Sequence, residues 1–393
     1  MRNDAFFTLL LAVFIALMGI GIIVPVMPVF AKELGAGGLA LGMIIAAFSV
    51  SRGLLQPVVG ILSDRWQRKN FLIAGLFIYG LVGLAIPLAT EVNHLITIRA
   101  FHGVGSAMIV PIGMAYMSIL APVGEEGKYM SYLNIAVFCG IGCGPIIGGF
   151  LFDLYGFSSV FYTMAGLSFL AFVLVVRFMP VSVAAKQDRD RAVSANLYQM
   201  FHDMKTCGIL LARYCTMIIM VPTMAFLPLL MSSWPDVTGS EIGAVIACRT
   251  LINACMQVPS GRAADKRSKI HLLALGIIVM SLAVLLIPEM KSFSQMAILY
   301  LLLGSAEAVI WAVLGAYASQ QAKASYGHGT MMGIFSFAMS AGVFTGAILC
   351  GMSMDHWGIA RAYHVAAAAV LLLSAAAVVM IVLGERTQDV ISK

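Results

Sequence analysis

The dominant pattern along the chain is a succession of long apolar runs separated by short polar breaks. A membrane-crossing helix needs about 20 mostly apolar residues. On that rule the pattern predicts twelve spans: 5–30, 40–62, 71–89, 94–120, 131–153, 158–179, 207–231, 240–261, 270–288, 294–321, 329–353 and 358–384. Each is predicted helical, because lipid offers no partner for backbone N–H and C=O groups. The expected fold class is therefore an all-α membrane protein. The first run is too long for the core of a signal peptide and more spans follow it, so it is read as the first span. Residues 181–205, with Lys186-Gln187-Asp188-Arg189-Asp190-Arg191, form the one sizeable polar stretch between spans. They predict a cytoplasmic linker between six-span bundles at 1–180 and 206–393.

Composition agrees with a lipid environment. Charged residues make up 11% of the chain and hydrophobic ones 61%, whereas a soluble domain carries about 25% charged residues. The net charge of +6 is spread over short inter-span loops, which argues for membrane topology over a nucleic-acid partner. Seventeen of the 24 Lys and Arg residues fall in the even-numbered gaps, the two tails or, for Arg177, the last turn of span 6, so both termini are expected on the cytoplasmic side of the inner membrane. The seven cysteines, most of them in apolar runs (Cys139, Cys143, Cys215, Cys248, Cys255), have no metal-ligand spacing. They read as small packing residues.

An internal repeat organises these spans. Gln56, Gly60 and Asp64 recur 201 residues later as Gln257, Gly261 and Asp265, and Gly103 and Tyr116 recur as Gly304 and Tyr317. Gly144, Gly149, Asp153 and Gly156 recur at an offset of 202 as Gly346, Gly351, Asp355 and Gly358. Two similar six-span halves predict a parallel-repeat carrier with its cargo site between the halves near mid-membrane.

The segment Gly60-Ile61-Leu62-Ser63-Asp64-Arg65-Trp66-Gln67-Arg68-Lys69 resembles the loop between spans 2 and 3 that marks the major facilitator superfamily, with Gln67 in place of the usual Gly. The resemblance implies the major facilitator fold: twelve transmembrane helices in two pseudo-symmetric six-helix bundles. It also implies a cytoplasmic latch in which Asp64, Arg65, Arg68 and Lys69, with Asp265 in the second half, make and break charge pairs as the halves rock. A solvated, topology-fixing basic loop is the alternative. On span 5, Gly140, Gly144, Pro145, Gly148 and Gly149 are similar to the motif of drug:proton antiporters. Small residues at this spacing let helices approach closely, and Pro145 removes one backbone donor. Pro25-Val26-Met27-Pro28 resembles a further antiporter signature at the end of span 1.

Four stretches carry candidate chemistry. Arg99 on span 4 resembles the family's intramembrane arginine implicated in proton coupling, and His102, three residues on, shares its helical face. Glu307 is the only carboxylate in the middle third of any span, with Tyr300, Gly304 and Trp311 on the same face. Such a group can cycle between protonated and charged forms, as proton coupling or cation recognition requires. A structural pair with Arg249 or Arg213 is the other reading. Arg52 and Gln56 on span 2, and Arg249, Asn253 and Gln257 on span 8, recur every four residues, each set on one face. Methionines such as Met217, Met220, Met224 and Met231 could serve as an adaptable lining or as ordinary helix packing.

The expected function is proton-coupled export of small amphipathic molecules by alternating access. Partners are a small-molecule substrate, protons and the lipid bilayer, with no nucleic acid, no cofactor, no metal and a monomeric state. No phosphate-binding Gly-x-x-x-x-Gly-Lys-Ser/Thr pattern occurs, so ATP is not the expected energy source. Four intramembrane arginines against one glutamate keep a second cargo class open: an anionic metabolite such as an organic acid, a siderophore-like compound or an acidic lipid precursor. Uptake by symport and a transport-dead receptor are the remaining alternatives.

Overall fold

Hydrophobic runs of this length, with no water to satisfy the backbone, fold as helices over nearly their whole extent. The computed structural model describes residues 2–120, 126–180, 197–321 and 328–391. Side chains are described within those ranges except at 2–4, 61, 64–65, 118–119, 126–128, 130–131, 197–199, 328–330 and 387–391. The helices are α1 (Arg2–Ile23), α2 (Met27–Glu33), α3 (Gly38–Arg65), α4 (Arg68–Ala85), α5 (Val92–Leu120), α6 (Glu126–Phe178) and α7 (Leu197–His202). They continue as α8 (Met204–Ile218), α9 (Leu227–Met231), α10 (Gly239–Lys266), α11 (Lys269–Leu286), α12 (Phe293–Gln321), α13 (His328–Trp357) and α14 (Ile359–Ile391).

Among the described residues eleven helical stretches are long and apolar enough to cross a membrane, and one of them, Tyr132–Phe178, runs for 47 residues. At about 1.5 Å per residue that is ~70 Å, more than twice a bilayer core of about 30 Å. It holds two crossings, broken at Gly156, whose φ of 74° is left-handed. The Ser159 hydroxyl seals the break by donating to the carbonyls of Gly156 at 2.7 Å and Leu151 at 3.1 Å. With that stretch counted as two, the described residues hold twelve crossings, the number the major facilitator resemblance implies.

The repeat is visible in the element bounds. The limits of α3, α4 and α5 reappear at an offset of 201 in α10, α11 and α12. Gly358, between α13 and α14, has φ 84° and matches Gly156. Only a residue without a Cβ adopts that conformation at little cost, so both helix pairs turn on a single glycine. Two spans are less continuous than their sequence suggests. The first breaks into a turn at 24–26 beside Pro25, and the seventh passes through a π-helical stretch, Pro222–Phe226, before α9. Proline accounts for both, since it withholds a backbone donor.

The chain divides into two compact units. The first holds Met1–Lys186 with Met224–Leu251, and the second Gln187–Thr223 with Ile252–Lys393. Within the first unit α1 packs along α6, α5 lies against α3 and α4, and α4 also contacts α6. Within the second, α8 packs on α13 and α14, and α11 on α12 and α14. Large apolar side chains face outward on both units, among them Leu54, Leu88 and Phe101 on the first and Ile298 and Leu372 on the second. Surfaces of this kind on membrane-length helices suit contact with lipid.

Candidate functional site

In the first unit a polar cluster forms where α3, α4 and α5 meet. A methyl group at Gly103 would overlap Ser51 Oγ and the Phe48 carbonyl, so α5 can approach α3 this closely only with glycine there. Arg99 donates from Nη1 to Nδ1 of His102 at 2.8 Å. A guanidinium has only donors, so Nδ1 is the acceptor and a neutral imidazole carries its proton on Nε2. His102 is fully buried, with its ring edge-on to Tyr79 (4.5 Å between centroids) and to Phe48 (5.2 Å). The Arg99 guanidinium also lies over Phe48 at 4.5 Å. Arg52 on α3 and Arg99 on α5 are both electrostatic neighbours of the Tyr79 hydroxyl on α4. Among the described residues neither arginine's Nε has a hydrogen-bond partner. The sequence places Arg99 and His102 on one face; the packing adds Phe48 and Tyr79, which spacing along α5 does not reveal. Gln56, one turn on from Arg52, is half-buried.

In the second unit Glu307 on α12 is 5% exposed and interacts electrostatically with Arg213 on α8. That guanidinium is flanked by the rings of Trp311 at 4.8 Å and Phe335 at 5.0 Å, and its Nη2 donates to Met339 Sδ at 3.1 Å. Arg213 is one of the two partners the sequence offered for Glu307. Phe335 and Met339, one turn apart on α13, carry no chemical signal in the sequence. Tyr300, two turns before Glu307, donates its hydroxyl to the Thr223 carbonyl at 2.8 Å. This satisfies an acceptor inside the proline-broken segment of span 7. Gln257 donates from Nε2 to Oδ1 of Asn253 at 2.7 Å, so that stripe is joined within itself. Arg249, which lies in the first unit, is 1% exposed.

The span-5 motif residues on α6 divide between two neighbours. Gly140, Gly144 and Gly148 recur every four residues and face α1: added methyl groups would meet the Phe14 carbonyl, Gly21 Cα and the Ile22 carbonyl. Gly149 and Pro145 face α10 instead, where Gly149 meets the Gly239 carbonyl and the Pro145 carbonyl meets Gly243. One helix thus makes two backbone-to-backbone contacts through a single run of small residues.

The basic loop is bound into its own unit. Lys69 donates from Nζ to the carbonyls of Met179 at 2.6 Å and Val176 at 2.9 Å, closing the end of α6, as a cation at a helix C-terminus should. Arg68 donates to the Ala115 carbonyl at 3.4 Å. The side chains of Asp64 and Arg65 lie outside the described residues, and Asp265 is exposed. Gln67 has φ −67° and ψ 116°, open to any residue, so this turn does not need the family's usual glycine. A methyl group at Gly60 would meet no described atom within 4 Å.

The sequence profile of the Major Facilitator Superfamily matches residues 9–233 and 206–392. The chain belongs to that superfamily. This facilitator is therefore a multi-pass membrane transporter, not an enzyme. It is 27% identical over 365 residues to an uncharacterized MFS-type transporter of Methanocaldococcus jannaschii, covering 92% of this chain and 94% of that protein. It is 27% identical over 263 residues to multidrug resistance protein 2 of Bacillus subtilis, covering 65% of this chain and 66% of the relative. The quinolone resistance protein NorA of Staphylococcus aureus is 28% identical over 174 residues, 44% of this chain and 45% of NorA. Among solved structures, a bacterial homolog of the human lysosomal transporter Spinster aligns with a TM-score of 0.80 at 14% identity, covering 98% of this chain and 97% of that one. The nucleoside transporter NupG aligns at 0.79 and 14% identity, covering 96% and 99%. At that identity both likenesses concern the fold alone.

Proposed function

We propose that this facilitator is a proton-coupled exporter of small amphipathic molecules, cycling by alternating access between bundles 1–180 and 206–393 joined by the linker 181–205. In this reading it works as a monomer in the cytoplasmic membrane with both termini inside. The observation that carries the proposal is the buried carboxylate of Glu307 beside the aromatic-flanked guanidinium of Arg213. A charge at a span's centre is expensive and characteristically belongs to an ion or proton pathway. Protonation of Glu307 removes its attraction for Arg213, and a cationic cargo competes with the proton for the same oxygens. Arg99 and His102 form the second coupling element, and the Gly140–Gly149 motif supports the direction of export. Two relatives are named for drug resistance, which favours the same direction.

The test is proton movement in proteoliposomes with an internal pH dye and ethidium as the probe cargo. The wild type should move protons opposite to ethidium. Glu307→Gln should abolish that movement while the protein remains in the membrane. Undiminished coupling in the variant would remove Glu307 from the mechanism.

A second reading, export of an anionic metabolite, is favoured by one observation. The Nε atoms of Arg52 and Arg99 have no hydrogen-bond partner among the described residues, and α3, α4 and α5 carry no acidic residue away from their ends. A carboxylate or phosphate cargo would complement them. Comparing fluorescein with ethidium binding separates the readings: Arg52→Gln and Arg249→Gln should weaken fluorescein binding selectively. The anionic reading fails if neither does.

A further inference from the structure

Asp153, near the end of the first crossing in α6, holds the start of α10. Its Oδ1 accepts from the Gly239 backbone N–H at 2.7 Å, and its Oδ2 from the Ser240 N–H at 2.8 Å and the Ser240 hydroxyl at 2.5 Å. These are the first two amides of α10, which have no partner within the helix. The carboxylate also meets the positive end of the helix dipole. Yet α10 already has a cap of its own. Thr238 Oγ1 accepts from the Glu241 N–H at 3.2 Å, and Glu241 Oε2 accepts from the Thr238 N–H at 3.0 Å, a reciprocal capping box. The helix start is therefore secured by local residues, and Asp153 is an additional cap brought from another helix.

Below this cap the contact is made of small residues. Gly149 lies against the Gly239 carbonyl, the Pro145 carbonyl against Gly243, and Gly142 against Leu251. Such surfaces touch closely without interlocking side chains, and so can part and rejoin. The directional bonds at the end of this face are those of Asp153. Its side chain is exposed, so water can replace the amides when the contact opens. Asp153 belongs to the first sequence repeat and α10 to the second, so this contact ties one repeat to the other within the first unit.

We infer that Asp153 is a positioning residue for the transport cycle: a detachable cap that holds the start of α10 against α6 in this state and releases it when that face of the membrane opens. The inference rests on the carrier cycle of the superfamily, not on the cargo or the coupling ion. Asp355 occupies the equivalent place in the second repeat, just before Gly358.

Hydrogen–deuterium exchange on the full chain in lipid nanodiscs, without cargo, tests it. In Asp153→Ala, amides over 236–243 should exchange roughly tenfold faster, the scale of losing charge-assisted hydrogen bonds. Amides over 66–70 and 267–269, at the far ends of α3 and α10, should exchange more slowly, because the population moves toward the state closed on that side. A change confined to 236–243, or none at all, overturns the proposal and leaves Asp153 a local cap. Thr238→Ala is the control: it removes the helix's own cap and should act on 236–243 alone. If Asp153→Ala does not fold, Asp153→Asn, which keeps one acceptor oxygen and loses the charge, is judged by the same two regions. Failure of ethidium-driven proton movement in the wild type would count against the export reading and leave this exchange pattern untouched.

Discussion

Arg99 and His102 share a single hydrogen bond, Nη1 to Nδ1 at 2.8 Å, and the ring of Phe48 lies against both. The imidazole thus serves as a fixed acceptor that orients a guanidinium inside the membrane. Any replacement must supply an acceptor at that point. His102→Gln, whose amide oxygen is again an acceptor, should retain coupled ethidium transport. His102→Leu leaves a donor of Arg99 unmet and should cost about 1–3 kcal/mol of stability, with coupled transport falling at least roughly tenfold. Thermal unfolding in mild detergent and the proteoliposome assay measure the two effects. Equal behaviour of the variants would show that the acceptor role is not used.

Glu307 and Arg213 should behave as a pair. Their charges interact inside the second unit, and removing one of two interacting buried charges costs up to about 3–5 kcal/mol. Arg213→Gln is therefore expected to lower the unfolding temperature markedly. The double variant Arg213→Gln/Glu307→Gln should lose less than the sum of the single changes, while proton coupling stays absent. Additive losses would mean that the two groups do not interact.

The glycines of the two motifs should respond differently to a methyl group. Gly148→Ala and Gly149→Ala press on the backbone carbonyls of Ile22 and Gly239, and overpacking of this kind costs about 1–3 kcal/mol. Gly60→Ala lies inside a helix and meets no described atom. It should leave stability unchanged or raise it by up to about 1 kcal/mol. Melting curves of the three variants check the order, and a large loss at Gly60 would contradict it.

Tyr300→Phe removes the donor that satisfies the Thr223 carbonyl in the broken part of span 7. Hydrogen bonds between membrane helices average about 0.6 kcal/mol and reach about 1.7, so a loss of about 1 kcal/mol is expected. Faster amide exchange over 219–227 should accompany it. Unchanged exchange there would show that another group satisfies the carbonyl.

Much of the architecture is legible in the sequence. The offset of 201 read from Gln56, Gly60 and Asp64 reappears in the bounds of α3 and α10, and the pairing of Gly156 with Gly358 reappears as two left-handed turns at 74° and 84°. The placing of His102 on the face of Arg99 likewise became a hydrogen bond. The breaks at 24–26 and 222–226 were less legible, because proline in a membrane helix is compatible with a kink, a break or an uninterrupted run.

The sequence by itself determined the number of spans, the duplication and the polar residues inside the bilayer. Lipid forces every span to satisfy its own backbone, and a periodicity of 3.6 fixes which residues share a face. Only the tertiary structure decided what those faces meet. It set Arg213 beside Glu307 with Trp311 and Phe335 around it, gave Lys69 to the end of α6, and split the α6 glycines between α1 and α10. It also turned Asp153 from a repeat marker into a cap on α10. Helical spacing carries the direction of a side chain around its own axis, whereas its partner depends on which helix stands opposite and at what height, and that follows from packing the whole set of helices at once.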